Sequence, residues 1–282
     1  MRIVIQSKKG SFEIGGGSHK TCRLISIDGI GLASKTATTI KFSGVAGNKI
    51  IDASANNRVI TMLFDVNADD FYLTEILRIL QEECEILFFL GEKRRKITGR
   101  VLETVEPEAI NYRKRYEMAV QFYCEIPYFT DFSETVLSLS TRTDNFPTSF
   151  EEGIAYITLP AVATTRTATV KIINFGDEPT YPKITVIALE ASSRITISNQ
   201  TTGNEVVLSK TISQGEEIVF DFAERKITSS ISGSVINNLS DASLLDSIYL
   251  DCGTNEMLVT NGEENNIRTT ISYSNLYAAV II

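Results

Sequence analysis

Chemistry needs nucleophiles, proton carriers or metal ligands held close together, and this chain scatters the few it has. Its single histidine, His19, lies in the polar stretch Gly16 to Lys20. No nucleophile motif beside it fixes a tautomer for a Ser-His-Asp or Cys-His couple. The four cysteines, Cys22, Cys84, Cys124 and Cys252, lack CxxC spacing. They read as buried reduced thiols, and neither a zinc site nor a redox pair is indicated. The Asp-rich runs Asp65 to Asp70 and Asp246 to Asp251 miss the glycine and closing glutamate of a calcium loop. A helix cap and a strand edge account for them. Glu151–Glu152, Glu216–Glu217 and Glu263–Glu264 are adjacent pairs, and strand neighbours point to opposite faces, so none forms an acid/base couple across a sugar. Gly15 to Gly17 and Gly29 with Gly31 precede no helix carrying Lys-Ser/Thr and read as tight turns. The expectation is no catalytic residue, no cofactor, no metal and no enzyme.

Two basic clusters remain. Lys93, Arg94, Arg95 and Lys96 fall at a hairpin turn, and Arg113, Lys114 and Arg115 at the start of a later strand. One reading makes them an electrostatic contact in an assembly interface. The other makes them solvated charges that protect a sheet edge from aggregation. Replacing Arg94 and Arg95 with Glu separates the two. Aromatics are not interleaved with either cluster, which argues against base stacking.

Composition sets the frame. The chain has 282 residues, 43% of them hydrophobic, a length that implies about two domains. No apolar run approaches the roughly 20 residues that a membrane-spanning helix needs, and the first residues lack the layout of a secretion signal. The net charge of -8 is unevenly divided. Residues 1–130 carry 18 Lys and Arg against 16 Asp and Glu, and residues 131–282 carry 9 against 19. So acidic a second half does not suit nucleic acid as a ligand.

Periodicity supplies the elements. Residues 3–5, 23–27, 39–42 and 58–66 read as strands. Phe71, Leu73, Ile76, Leu77 and Leu80 recur at helical spacing behind Asp69 or Asp70 as a cap, predicting a helix over about 69–82 with Arg78 and Glu82 on its exposed face. Residues 85–90, 96–105 and 115–123 come next as a hairpin succession. Residues 131–165 read as a linker or arm. Beyond it, short strands recur at 168–174, 182–189, 194–199, 205–209, 217–222, 225–229, 246–250, 255–260 and 267–273, with glycine and asparagine turns between them, the pattern of an antiparallel β-sandwich. The expected architecture is mainly β with one α-helix in the N-terminal half. It comprises an α+β domain over 1–130 (a sheet or split barrel plus a helix), the linker, and a sandwich domain over 166–282. Tyr156, Tyr181, Tyr249, Tyr273 and Tyr277 leave sugar stacking open in a chain without Trp.

Specific stretches carry a family resemblance. They are Gly44 to Val66 (GVAGNKIIDASANNRVITMLFDV), the helix after it and the strand ending at Phe129 (CEIPYF). In the second half they are Asn174 to Ile184 (NFGDEPTYPKI), Ile195 to Asn199, Ser240 to Asn255 with its DCGTN turn, and a strand through Ser272 and Tyr273. Together these resemble the siphophage distal tail (Dit) proteins over nearly the whole chain. The resemblance implies a hexameric ring built by the N-terminal domains. The ring would lie between a tail tube protein and a tail-tip fibre or lysin protein, with galectin-like C-terminal sandwiches that hold receptor-binding proteins. It implies a place at the virion tail tip, assembly in the cytoplasm of a bacterial host, no membrane partner, and DNA only in transit through the channel. A glycan-binding adhesion module is the alternative, and a cell-wall hydrolase is the least supported reading.

Overall fold

The computed structural model describes residues 1–15, 21–44, 46–67, 70–103, 105–111, 115–141, 169–261 and 266–280. The chain divides into two compact units, one of residues 1–133 with 276–282 and the other of residues 134–275.

The first unit is an antiparallel sheet on one helix. Its main strands are β1 Arg2–Ser7, β2 Gly10–Ile14, β3 Cys22–Asp28, β6 Arg58–Asn67, β7 Cys84–Leu90, β8 Lys93–Val101 and β10 Arg115–Cys124, in the order β2-β1-β7-β8-β10-β6-β3. The same unit holds β4 Lys35–Ile40, β5 Lys49–Ala55, β9 Glu108–Asn111, β11 Phe129–Thr130 and β22 Leu276–Tyr277. Period-two burial builds its core. Ile60, Met62 and Phe64 of β6 sit opposite Phe122, Val120 and Met118 of β10, and all six are buried. Ile3 and Ile5 extend that layer beside Phe88 and Ile86. The Gly15 amide donates to the Cys22 carbonyl at 3.2 Å, so the two outer strands meet at one end. Gly99 allows β8 and β10 to approach, because a Cβ there would lie 2.9 Å from the Cys124 sulfur.

The helix, α1 Asp70–Leu80, turns Ile76, Ile79 and Leu80 into the same core. Asp69 lies outside the described residues. The expected pairing of Arg78 with Glu82 does not form. Arg78 pairs instead with Glu75 at 3.2 Å, and Glu82 pairs with Lys9 at 3.0 Å, because the helix ends before Glu82 and Lys9 lies within reach.

Arg58, at the start of β6, is 3% exposed. Its Nε donates to the Pro127 carbonyl at 2.6 Å. Nη1 donates to Gly29 at 2.5 Å and Gly31 at 2.6 Å, and Nη2 to Ala278 at 2.7 Å. The guanidinium carbon lies 4.6 Å from the Phe129 ring centre. Burial pushes this guanidinium below its ordinary value. Gly29 has φ +84° and would place a Cβ 2.0 Å from the Val59 carbonyl oxygen, so the turn that offers two of these acceptors requires glycine there.

The second unit is a two-sheet antiparallel sandwich. Its strands are β12 Thr135–Thr141, β13 Thr169–Asn174, β14 Lys183–Ala188, β15 Ser192–Asn199, β16 Asn204–Ile212, β17 Glu217–Asp221, β18 Lys226–Ser229, β19 Gly233–Ser234, β20 Gly253–Thr260 and β21 Ile267–Tyr273. One sheet runs β12-β21-β14-β17-β18-β19 and the other β13-β20-β15-β16. Ile184, Val186, Phe220 and Ile271 from the first share one core with Ile195, Ile197, Leu208 and Val259 from the second.

Three expectations change here. Residues 135–141, read as part of the linker over 131–165, form a strand paired along β21; residues 142–165 of that linker lie outside the described residues. Residues 246–250, read as a strand, contain a short 3-10 turn at Leu245–Ser247. Buried asparagine amides hold the backbone from Tyr249 to Asp251. Asn199 donates to the Tyr249 carbonyl at 2.7 Å, Asn174 to Leu250 at 3.1 Å and Asn255 to Asp251 at 2.7 Å. Leu250 is also bridged to Thr180 by two backbone hydrogen bonds, at 2.7 and 3.0 Å, and the asparagine side chains supply partners on either side of that bridge. Lastly, residues 276–280, read as the end of the sandwich domain, lie in the first unit.

The buried charges give two predictions. Arg58→Lys keeps the charge but exchanges a planar five-donor fork for three donors on a flexible stem. It is expected to cost the first unit about 2–4 kcal/mol, measured by denaturant unfolding followed by circular dichroism. In the second unit Glu216 is buried. Desolvation alone would raise its carboxyl, but Lys210 Nζ at 2.5 Å, the Ser229 hydroxyl and the Ser213 amide outweigh it and hold the carboxyl below its ordinary value of 4.5. The stabilisation is therefore complete above that value and lost as pH falls through the lower folded one. Glu216→Gln should cost about 1–3 kcal/mol at pH 7, and the gap from the parent should close as unfolding is repeated at decreasing pH.

Candidate assembly interface

The structure describes only some of the reactive residues, and those lie in separate places. His19 lies outside the described residues. Burial pushes the Cys22, Cys84 and Cys124 thiols up to about 11, leaving little thiolate at neutral pH. Cys252 is exposed, and desolvation followed by Asp251, Glu178 and Asp177 raises it too. Glu216 is buried while its neighbour Glu217 is exposed, so that pair shares no face; Glu151–Glu152 and Glu263–Glu264 lie outside the described residues. Among the described residues no three His, Cys, Asp or Glu side chains group to hold a metal, and no helix is long and apolar enough to cross a membrane.

The basic clusters resolve into different roles. Lys93 and Arg94 open β8 and are exposed. Arg95 turns inward: its Nη1 lies 2.8 Å from Asp131 Oδ1, and its guanidinium carbon sits 3.5 Å from the centre of the Tyr277 ring. The Tyr277 hydroxyl donates to the other Asp131 oxygen at 3.2 Å. Lys96 pairs with Glu85 at 3.5 Å. Arg115 pairs with the buried Asp65, which also takes Arg23 at 3.3 Å. Arg113 and Lys114 lie outside the described residues. Thus Arg95, Lys96 and Arg115 are engaged within their own unit, and Lys93 with Arg94 are the exposed remainder.

Sequence reasoning passed over the barest surface. Between β3 and β6 the chain makes a two-stranded ribbon, β4 paired with β5. Asn56 closes its base: its amide donates to the Ser34 carbonyl at 2.8 Å, and its side-chain oxygen accepts the Thr36 hydroxyl at 2.8 Å. Every described residue from 34 to 54 is exposed. Phe42 is 52% exposed, Ile50 60% and Ile51 57%, and Leu32 just before the ribbon is 72% exposed. The register shifts between Thr38 and Thr39, so Ile51 has no partner across the pair. The signal is in the sequence: adjacent isoleucines without period-two alternation cannot both face a core. Large apolar side chains exposed together on a ribbon form the kind of patch that suits contact with another molecule. Beside it β3 ends the sheet and exposes Ile25.

Fold and surface together define a class: an antiparallel β protein of two units that presents a bare apolar ribbon and no grouped reactive residues among those described. Residues 175–277 match the family described as "Siphovirus-type tail component, C-terminal domain". That part of the chain is therefore similar to siphovirus-type tail components, and the resemblance read from the sequence is borne out. No curated protein matches the sequence. Among solved structures, the chain is similar to the Dit (gp 19.1) protein of phage SPP1, described as a paradigm of hub adsorption apparatus in phages infecting Gram-positive hosts. That likeness has 15% identity and a TM-score of 0.62, covering 91% of this chain and 93% of the other. It is also similar to a chain of the phage P2 baseplate in its activated conformation with Ca, at 9% identity and a TM-score of 0.52, covering 97% of each. At such identities these likenesses establish a shared fold, and the expected architecture of mainly antiparallel β with a single helix is borne out.

The divided roles of the first cluster give a test. Arg94→Glu should leave unfolding free energy within about 0.5 kcal/mol of the parent. Arg95→Ala should cost about 1–3 kcal/mol, because it removes a charge-assisted hydrogen bond and a cation–π contact together.

Proposed function

We propose that the chain is a structural component of the distal end of a siphovirus-type tail, in which six copies close a ring through their first units. The ring joins the tail tube protein to a tail-tip fibre or lysin protein, and the second unit offers a docking surface for receptor-binding proteins. Its place is the virion tail tip, reached by assembly in the host cytoplasm, and DNA is met only in transit.

The observation that carries this reading is the bare ribbon. An isolated two-stranded ribbon is marginal in water, and this one exposes large apolar side chains that its own unit leaves uncovered. A heterologous, head-to-tail contact repeated around an axis would cover them and close a ring. The family match and the near-complete mutual coverage with hub and baseplate chains support the same reading. Lys93, Arg94, Arg113 and Lys114 are candidates for the charged rim of such a contact.

Light scattering on the purified protein across a concentration series, with negative-stain images, tests the proposal. A six-copy ring is expected. A strict monomer that also fails to associate with the tail tube protein would sink it and send attention to a glycan screen of the second unit. Ile50→Glu combined with Phe42→Glu should weaken association by at least about 100-fold, as expected when two apolar contacts worth about 1.5–3 kcal/mol each are lost. Thermal unfolding of the single protomer should stay unchanged.

A further inference from the structure

The first unit is not continuous in the sequence. The chain leaves it after Ser133 and returns at Leu276, so the whole second unit is synthesised before residues 276–280 exist. Those few residues hold central places. Strand β22, Leu276–Tyr277, pairs with strand β11, Phe129–Thr130, whose other partner is Lys96 alone. Tyr277 carries the Arg95 guanidinium on its ring and bonds Asp131 through its hydroxyl. The Ala278 carbonyl takes one arm of the buried Arg58. Ala279 and Val280 are buried, and the Val280 amide donates to the Ile30 carbonyl at 3.1 Å.

Before these residues arrive, Arg58 lacks one of its four carbonyl acceptors, and the core of the unit lacks Val280. Strand β11 lacks its main partner, and Arg95 lacks its stacking ring. Ile30, Arg58, Arg95 and Asp131 come from four separate parts of the first unit, and one short segment satisfies all four.

We infer that residues 276–280 are a latch that completes the first unit only after the second has been made. At ordinary rates of synthesis the delay is on the order of 10 s. An N-terminal fragment, or a chain still on the ribosome, holds the ribbon and most of the sheet but not a finished first unit. If six first units close the ring, the latch makes ring assembly conditional on a chain that already carries its second unit, a consequence that rests on the ring reading.

The test compares the full chain with one stopped after Asn275 and with full-length Tyr277→Ala. Hydrogen exchange is read segment by segment. In the stopped chain, exchange at residues 29–31, 58–60, 93–97 and 127–131 should quicken at least tenfold, while β14, β17 and β20 keep their protection. Excess synthetic peptide 276–282 should restore protection at the same segments. Unchanged protection in the stopped chain overturns the latch. Should that chain aggregate, Tyr277→Ala decides: quickened exchange confined to those segments supports the latch, and unchanged exchange overturns it. A full chain that is monomeric by light scattering removes the consequence for ring assembly and leaves the exchange result to judge the latch by itself.

Discussion

The first unit is organised around a cation taken out of water. The Arg58 guanidinium is paired with no carboxylate among the described residues; four backbone carbonyls and the Phe129 ring hold it. Burying a charge is costly unless every donor finds an acceptor. The acceptors come from the Gly29–Gly31 turn, the segment before β11 and the segment that returns after the second unit. Each of these is irregular backbone without a ladder of its own at that point. The charge therefore acts as a geometric specification. Satisfying it fixes where three remote pieces of chain must lie, and hydrophobic packing, which is non-directional, cannot do that.

The second unit applies the same logic with neutral groups. Its two sheets pack through alternating side chains, but the stretch between Tyr249 and Gly253 is placed by amides of Asn174, Asn199 and Asn255. Around Glu216, one ammonium, one hydroxyl and one backbone amide close a buried carboxylate. In both units apolar alternation builds the sheets, and a few saturated polar groups position the connections. The ribbon β4–β5 has neither device. Closed at its base by Asn56, with every described residue from 34 to 54 exposed, it reads as a surface awaiting a partner.

How much of this was legible depends on whether the signal was local. The helix showed itself through the spacing of Leu73, Ile76, Leu77 and Leu80, and β6 through the alternation of Ile60, Met62 and Phe64, because a period along the chain is the same in sequence and in space. The sandwich was legible for the same reason, from short runs separated by turns, and the family resemblance rested on those landmarks. The seven basic residues were grouped by adjacency, and adjacency on a strand sends neighbours to opposite sides. Arg94 faces out while Arg95 closes onto Asp131 and Tyr277, a distinction no reading of charge runs could make.

Local pattern along the chain is enough to set the class: mainly antiparallel β with one helix, two units, reactive residues scattered along the chain, and a tail-component resemblance carried by turns and strands. Only the folded chain shows that residues 276–280 belong to the first unit, that Arg58 is a buried centre and not a strand-end charge, and that every described residue from 34 to 54 is exposed. Each of these depends on pairing between residues far apart in the chain. Such pairing leaves no period behind, since what selects the partner is the need to satisfy a buried polar group, and that need arises only once the surrounding core has excluded water.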